Sequence, residues 1–134
     1  MDIWSGLFAL SGVILGAAFS EVRAWREART RRAAELHTIR RQTYSTALRD
    51  IEALASATAR WAHGETPEPV WEALATAYAT ENEVRLLAGV EASADVMHRV
   101  IRVYRDALEA DSRSLPVPRG ERHELLMLFR RDLG

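Results

Sequence analysis

The chain has 134 residues, of which 48% are hydrophobic and 28% are charged, with no cysteine and a formal net charge of −1. This length corresponds to one domain, and the hydrophobic fraction is too high for a disordered chain. The lack of cysteine excludes a disulfide scaffold, a thiolate zinc site and a cysteine nucleophile.

The charge is distributed unevenly along the chain. Residues 1–20 contain a single charged side chain, Asp2. Residues 21–41 contain seven arginines and three glutamates, a local charge of +4, whereas residues 42–134 contain eleven arginines and fifteen acidic residues, a local charge of −4. The order indicates an apolar head, a basic neck and a mildly acidic body.

An uncharged stretch of 17 residues, Ile3–Phe19, predicts a membrane-spanning helix. At 1.5 Å per residue it covers about 25 Å, near the short limit for the hydrocarbon core, and extension to Val22 brings it close to a full span. Trp4 and Trp25 lie about 31 Å apart along such a helix, which suits the two interfacial aromatic belts. We therefore predict a transmembrane helix over residues 1–22.

The position of the arginines predicts the orientation of this helix. They follow the uncharged stretch on its C-terminal side, and positive charge favours the cytoplasmic face of a membrane. We predict a single-pass protein of the cell inner membrane, with its N-terminus outside and its C-terminal body in the cytoplasm. The side chains predicted to contact lipid headgroups are Trp4, Trp25, Arg23, Arg26 and Arg29.

Two alternatives apply to the first segment. A cleaved signal peptide requires a positive region at its start, which Met1-Asp2 does not supply, and Gly16-Ala17-Ala18 is a poor cleavage site. The other alternative is a helix buried in the core of a soluble or peripheral bundle, because 17 residues lies between the two length classes.

Small residues share one face of the predicted span: Ala9, Gly12, Gly16 and Ser20. The Gly12-x-x-x-Gly16 spacing lets two helix backbones approach closely, and it predicts helix–helix packing in the membrane. The partner would be a second copy or another protein. The alternative is that glycine, alanine and serine are simply common in membrane helices.

No glycine or proline occurs between Gly16 and Gly64, which favours one helix that continues out of the membrane. An apolar stripe begins only at Leu36, so residues 23–38 are predicted to form a basic juxtamembrane stalk. The helix that follows, about 33 Å long, can pair back along the first only to about residue 39.

Three further helices are predicted. Thr66-Pro67 would start the second with a capping hydroxyl, and Gly89 would end it. Ser93 would cap the third, and the last would run over Glu121–Leu133 and end at Gly134. The fold class is all-α: an N-terminal transmembrane helix continues into a long stalk helix and an antiparallel cytosolic helical bundle over 39–134.

The sequence contains no recognisable catalytic motif. Asp95-x-x-His98 has a spacing used in carboxylate-bridged metal bundles, but the second such motif that these sites need is not evident. His123-Glu124 imitates the start of a zinc-protease motif, with Met127 where the second histidine belongs. We therefore predict that the protein is not an enzyme and has no catalytic residue, metal or cofactor. The sequence identifies no small-molecule substrate.

The arginines of the neck could bind the phosphates of nucleic acid. They directly follow the uncharged stretch, however, where attraction to anionic headgroups accounts for them, so we predict membrane lipid and no nucleic acid as a partner. Trp61 and Trp71 flank the turn after the first long helix and are expected to pack together, whereas an exposed tryptophan there would argue for a protein partner.

The predicted function is that of a single-pass membrane protein whose cytosolic bundle acts through protein–protein interaction, as an adaptor, scaffold or small regulator. A homo-oligomer or a complex with another protein is expected. The alternative is a soluble or peripheral oligomeric helical bundle with the first helix buried in a core or an oligomer interface. A metal-dependent bundle enzyme is a third hypothesis.

Several segments, in order, carry a resemblance that covers nearly the whole chain: SGVILGAAFS, RAWREARTRR, RRQTYSTALRDIEAL, EVRLLAGVEASADVMHRV and FRRDLG. With them the chain resembles a loose group of small single-pass membrane-anchored helical proteins of unknown function from high-GC bacteria. The resemblance implies the same architecture. It implies no activity, and no functional residue carries over from it.

Overall fold

The computed structural model is all-α and describes residues 3–88, 92–113 and 118–134, apart from the side chains of Trp4, Leu7 and Phe8. The described residues form four helices and no strand. The helices are α1 (Ile3–Ala62), α2 (Glu68–Leu87), α3 (Ala92–Glu109) and α4 (Arg119–Leu133). The predicted all-α fold is confirmed, whereas its transmembrane part stays a prediction.

The chain divides into two compact units, Met1–Leu36 and His37–Gly134. In the first unit, every described side chain is exposed. The second unit is a helical bundle formed by the C-terminal part of α1 with α2, α3 and α4.

The part of α1 in the bundle buries one apolar face. The buried side chains recur at intervals of three or four residues, as one face of a helix requires: Tyr44, Ala47, Ile51, Leu54, Ala57 and Trp61. The helix ends at Ala62, two residues before Gly64, whose φ of +106° favours glycine. The stretch between Gly16 and Gly64, which lacks glycine and proline, therefore ends where the helix ends.

Helix α2 lies antiparallel to α1, since Thr80 donates a hydrogen bond to Asp50 and the Leu87 carbonyl accepts one from Arg40 Nε at 2.7 Å. The prediction that Thr66 caps α2 is wrong. Pro67 takes the N-cap position, without a side-chain cap, and the helix starts at Glu68.

Helix α3 is the central helix of the bundle, because it packs against both α2 and α4. It buries nine of its described residues, more than any other helix of the described chain. The prediction that Ser93 caps this helix is wrong, since Ser93 lies within the helix and is fully buried. The predicted end of α2 at Gly89 lies outside the described residues.

Helix α4 docks on the bundle, a point that the sequence leaves open. It begins at Arg119, two residues before the predicted start, and ends with Gly134 as its C-cap, as predicted. It runs antiparallel to α1: Arg122 lies 4.0 Å from Glu52, and the Leu133 carbonyl lies 3.0 Å from His37 Nε2. Leu125 and Phe129 bury the apolar face of the helix.

Candidate functional site

Many large apolar side chains of the first unit are exposed to solvent. Those with the highest exposure are Ile3, Leu10, Val13, Ile14, Leu15, Phe19 and Trp25, each more than half exposed. Soluble proteins rarely present so many apolar side chains next to one another, and a contiguous exposed patch of this kind marks a contact surface. The N-terminal part of α1 is therefore the first candidate for a functional surface.

Within the part of the chain that the structure describes, no helix combines the length and the apolar character needed to cross a membrane. Trp4, predicted to lie at one headgroup level, has a side chain outside the described residues. The transmembrane assignment of residues 1–22 stays a prediction.

The four small residues predicted to pack helices together are all exposed: Ala9, Gly12, Gly16 and Ser20. A Cβ atom placed on Gly12 or Gly16 would meet no other atom within 4 Å. Packing within the described chain therefore gives no reason for glycine at these two positions. A neighbouring helix that approaches closely would supply one.

Two of the predicted headgroup contacts lie against each other on α1. The guanidinium carbon of Arg29 lies 5.4 Å from the centre of the Trp25 ring. In this cation–π contact, a permanent positive charge lies against the Trp25 ring, whose side chain is 62% exposed to solvent. An exposed tryptophan with a cation on its face has the amphipathic character of residues at a membrane–water interface.

Arg23 and Arg26 line a shallow groove of about 890 Å³ on the same part of α1. The groove also contains Arg31 and one acidic side chain, Glu27, so its formal charge is positive. The complete lining is Phe19, Ser20, Val22, Arg23, Arg26, Glu27, Thr30, Arg31 and Ala34. An apolar end and a basic end in one groove suit an amphipathic anion such as a lipid headgroup with its first acyl carbons.

A second cluster joins α2 and α3, and it contains the Asp95-x-x-His98 motif. The two motif residues point to different partners: Asp95 accepts a hydrogen bond from Arg85 at 3.1 Å, and His98 Nδ1 lies 2.9 Å from Glu81. Among the described residues, no three side chains of the metal-binding types stand close enough to hold a metal ion. Arg85 also donates a hydrogen bond to Glu81, and its bonds to Asp95, first, and to Glu81, second, raise the pKa of Arg85.

Glu81 is a residue of this cluster that no sequence motif singles out. It is only 5% exposed and binds both Arg85 and His98, which lie on α2 and α3. A signal was present in the sequence. Glu81 follows Ala77 by four residues and precedes Val84 by three, so it lies on the buried stripe of α2.

Tyr104 of α3 has a buried hydroxyl that makes no hydrogen bond in the described part of the chain. Burial raises the pKa of Tyr104, because it penalises the phenolate, and the positive charge of Arg122 opposes this shift. Chemistry at a phenol needs a hydroxyl that a ligand can reach. Because the Tyr104 hydroxyl is buried, Tyr104 has the properties of a core residue.

The two tryptophans near the distal turn differ in exposure. Trp61 is buried, with the guanidinium carbon of Arg113 at 5.5 Å from its ring centre, and Trp71 is 47% exposed. An exposed tryptophan at this turn is the feature expected of a contact with another protein, and Trp71 has it.

Comparisons with protein-family models, with curated proteins and with solved structures found no match to this chain.

Proposed function

We propose that the protein is a single-pass membrane protein, held in the lipid by the N-terminal part of α1, whose cytoplasmic bundle acts through protein–protein contact. The observation that carries this proposal is the exposure of Leu10, Val13, Ile14, Leu15 and Phe19 on an uncharged stretch. At 100° per residue these side chains point to all sides of the helix. Lipid covers an apolar helix on all sides, whereas one partner helix covers a single face.

The basic neck supports the same proposal. The groove with Arg23 and Arg26 lies in the neck, immediately after the uncharged stretch, and so does the contact of Arg29 with Trp25. Basic residues next to a bilayer with anionic lipids each gain about 1 kcal/mol from its surface potential. The neck therefore favours the cytoplasmic side for the residues that follow it.

The bundle supports a role in binding other proteins. Its buried carboxylate, Glu81, is hydrogen-bonded to Arg85 and His98 and acts as a structural element of the bundle. Large apolar side chains are exposed on the bundle surface, among them Leu86 at 85%, Met127 at 50% and Trp71 at 47%. Tryptophan is enriched among the residues that contribute most to protein–protein binding. An adaptor, a scaffold or a small regulator fits this surface.

Extraction of membranes from cells that produce the full chain tests the anchor. We expect the chain to stay with the membrane in carbonate and in high salt, and to be released only by detergent. Release as an oligomer without detergent would contradict the proposal. It would favour the alternative, in which copies of α1 bury their apolar residues in an oligomer interface.

The lack of cysteine makes the orientation directly testable. The variant Arg131→Cys places one thiol at an exposed position in α4. We expect a membrane-impermeant thiol reagent to label it only after the cells are opened. Labelling in intact cells would show that the bundle lies outside the cytoplasm.

A further inference from the structure

A stripe of exposed side chains with a seven-residue period runs along the neck. It consists of Val22, Trp25, Arg29, Arg32 and Leu36, with spacings of three and four residues, and is called the neck stripe. Residues at these spacings share one face of a helix and match the a and d positions of a two-stranded coiled coil. The apolar members are all exposed: Val22 at 48%, Trp25 at 62% and Leu36 at 46%.

The charges beside the neck stripe are complementary between two copies of the chain. With the neck stripe at positions a and d, Glu21 and Glu35 occupy g positions, and Arg26 and Arg40 occupy e positions. In a parallel pair in register, each g residue faces the e residue that comes five positions later on the other helix. Each glutamate then meets an arginine. An antiparallel pair would match g with g and e with e, so like charges would meet.

The groups that this pairing needs are accessible. Glu21 and Glu35 are exposed, and neither carboxylate forms an ion pair with another described residue of the same chain, although seven arginines lie in the neck. Arg40 uses its Nε to bind the Leu87 carbonyl. A guanidinium has five N–H donors, so its Nη atoms can bind a carboxylate as well.

We propose that two copies of this chain pair along the neck stripe, parallel and in register, with ion pairs from Glu21 to Arg26 and from Glu35 to Arg40 between the copies. The pairing rests on the proposed function in one respect: anchors in the same membrane give both necks the same direction. Gly12 and Gly16 lie roughly 130° around the helix from Val22 and Trp25, at 100° per residue. The small-residue face is therefore not part of this interface.

The arginines in the neck stripe weaken the pair, since Arg29 and Arg32 would each face the same residue of the second copy. Polar residues at such positions fix the register of a coiled coil and lower its stability. Arg32→Leu is therefore expected to strengthen the association, whereas Arg31→Leu, beside the neck stripe, leaves it unchanged.

Disulfide formation between single-cysteine variants tests the interface in native membranes, because the chain has no other cysteine. Arg32→Cys and Leu36→Cys lie on the neck stripe, and Thr30→Cys and Ala34→Cys lie off it. Because a disulfide needs Cβ atoms within about 4.5 Å, we expect at least about fivefold more dimer at the first two positions under mild oxidation. Equal yields at the four positions, or no dimer at any of them, would overturn the proposal.

A charge swap provides the second test, with Leu36→Cys as the reporter. Glu21→Arg alone and Arg26→Glu alone should each lower the dimer yield roughly fivefold, because the dimer contains this ion pair twice. The double variant should restore it. A double variant as weak as the single ones would contradict the pairing.

Separate measurements test the small-residue face and the membrane anchor. Dimers that form through Gly12→Cys or Gly16→Cys, and not through the neck stripe, would overturn the neck interface. Carbonate extraction of the same samples tests the anchor. A chain that stays in the membrane without neck dimers contradicts the pairing alone, and a released chain with neck-stripe dimers contradicts the proposed function alone.

Discussion

Phe129 of α4 stacks on Tyr44 of α1, with ring centroids 4.2 Å apart and ring planes 5° from parallel. Both rings are buried, and the Tyr44 hydroxyl donates a hydrogen bond to Asp132, one turn further along α4. The last helix is therefore held to the first by apolar contact and by a charge-assisted hydrogen bond at the same place.

Removal of this ring is expected to destabilise the bundle. Phe129→Ala should lower the free energy of unfolding by about 3–5 kcal/mol, because it deletes a buried aromatic side chain and leaves a cavity. Tyr44→Phe keeps the stack and loses the hydrogen bond, at a cost of about 2 kcal/mol. Urea unfolding of the full chain in mild detergent measures both. Met127→Ala, at a half-exposed position of the same helix, is the control, and an effect of Phe129→Ala no larger than the control would contradict this account.

Glu81 is expected to couple α2 to α3. Glu81→Gln should lower the free energy of unfolding by about 1–3 kcal/mol, because it weakens the hydrogen bonds from Arg85 and His98 to a buried carboxylate. Glu83→Gln, two residues away and exposed, should change it by less than about 0.5 kcal/mol. A double-mutant cycle of Glu81→Gln with His98→Gln should give a coupling energy of at least about 0.5 kcal/mol. Additive effects would show that the two side chains do not interact.

Tyr104 is expected to give the opposite result, because its buried hydroxyl has no hydrogen-bond partner among the described residues. Tyr104→Phe should leave the free energy of unfolding unchanged or raise it by up to about 1 kcal/mol, since it removes an unsatisfied polar atom. Tyr104→Ala should lower it by several kcal/mol through the cavity, in the range of about 3–5 kcal/mol. A clear loss of stability in Tyr104→Phe would show that the hydroxyl is bound.

The same residue predicts a dependence on alkaline pH. Burial raises the pKa of Tyr104 in the folded state above its ordinary value of 10.0, and the charge of Arg122 opposes this in part. Above that pH the unfolded chain releases the proton while the folded chain retains it, so stability is complete below about pH 10 and falls as the pH rises further. Urea unfolding between pH 8 and pH 11, compared with Tyr104→Phe, isolates this contribution. An equal fall in both proteins would assign the effect to other groups.

The arginines of the neck are expected to set the orientation. When glutamate replaces Arg23, Arg26 and Arg29 together, we expect part of the chains to insert with the bundle outside. The reason is that the positive charge that favours the cytoplasmic face is reversed. An impermeant reagent and the single thiol of Arg131→Cys measure that fraction. The control replaces Arg49, Arg119 and Arg130, which are exposed and distant in sequence from the uncharged stretch. If the two triple variants are labelled equally in intact cells, the arginines of the neck do not set the orientation.

The helices and the apolar stripe of α1 follow from local patterns of residues. The absence of glycine and proline over residues 17–63 predicts one continuous helix, and α1 covers this stretch as far as Ala62. Helix periodicity is a local property, because each side chain's face follows from its position in the turn. The expected length of α2 predicts that it pairs along α1 as far as about residue 39. In the structure the carbonyl of Leu87, the last residue of α2, accepts a hydrogen bond from Arg40 of α1.

The partners of each helix face, in contrast, depend on the tertiary structure. It docked α4 through Phe129 on Tyr44, and it placed Glu81 between Arg85 and His98. It also showed that Leu36 and Ile39, which continue the apolar stripe of α1, are exposed. These outcomes depend on contacts between residues far apart in sequence, which no local periodicity encodes. The apolar stripe of a helix specifies which side is buried, and the packing of the other helices decides how far along that side the burial extends.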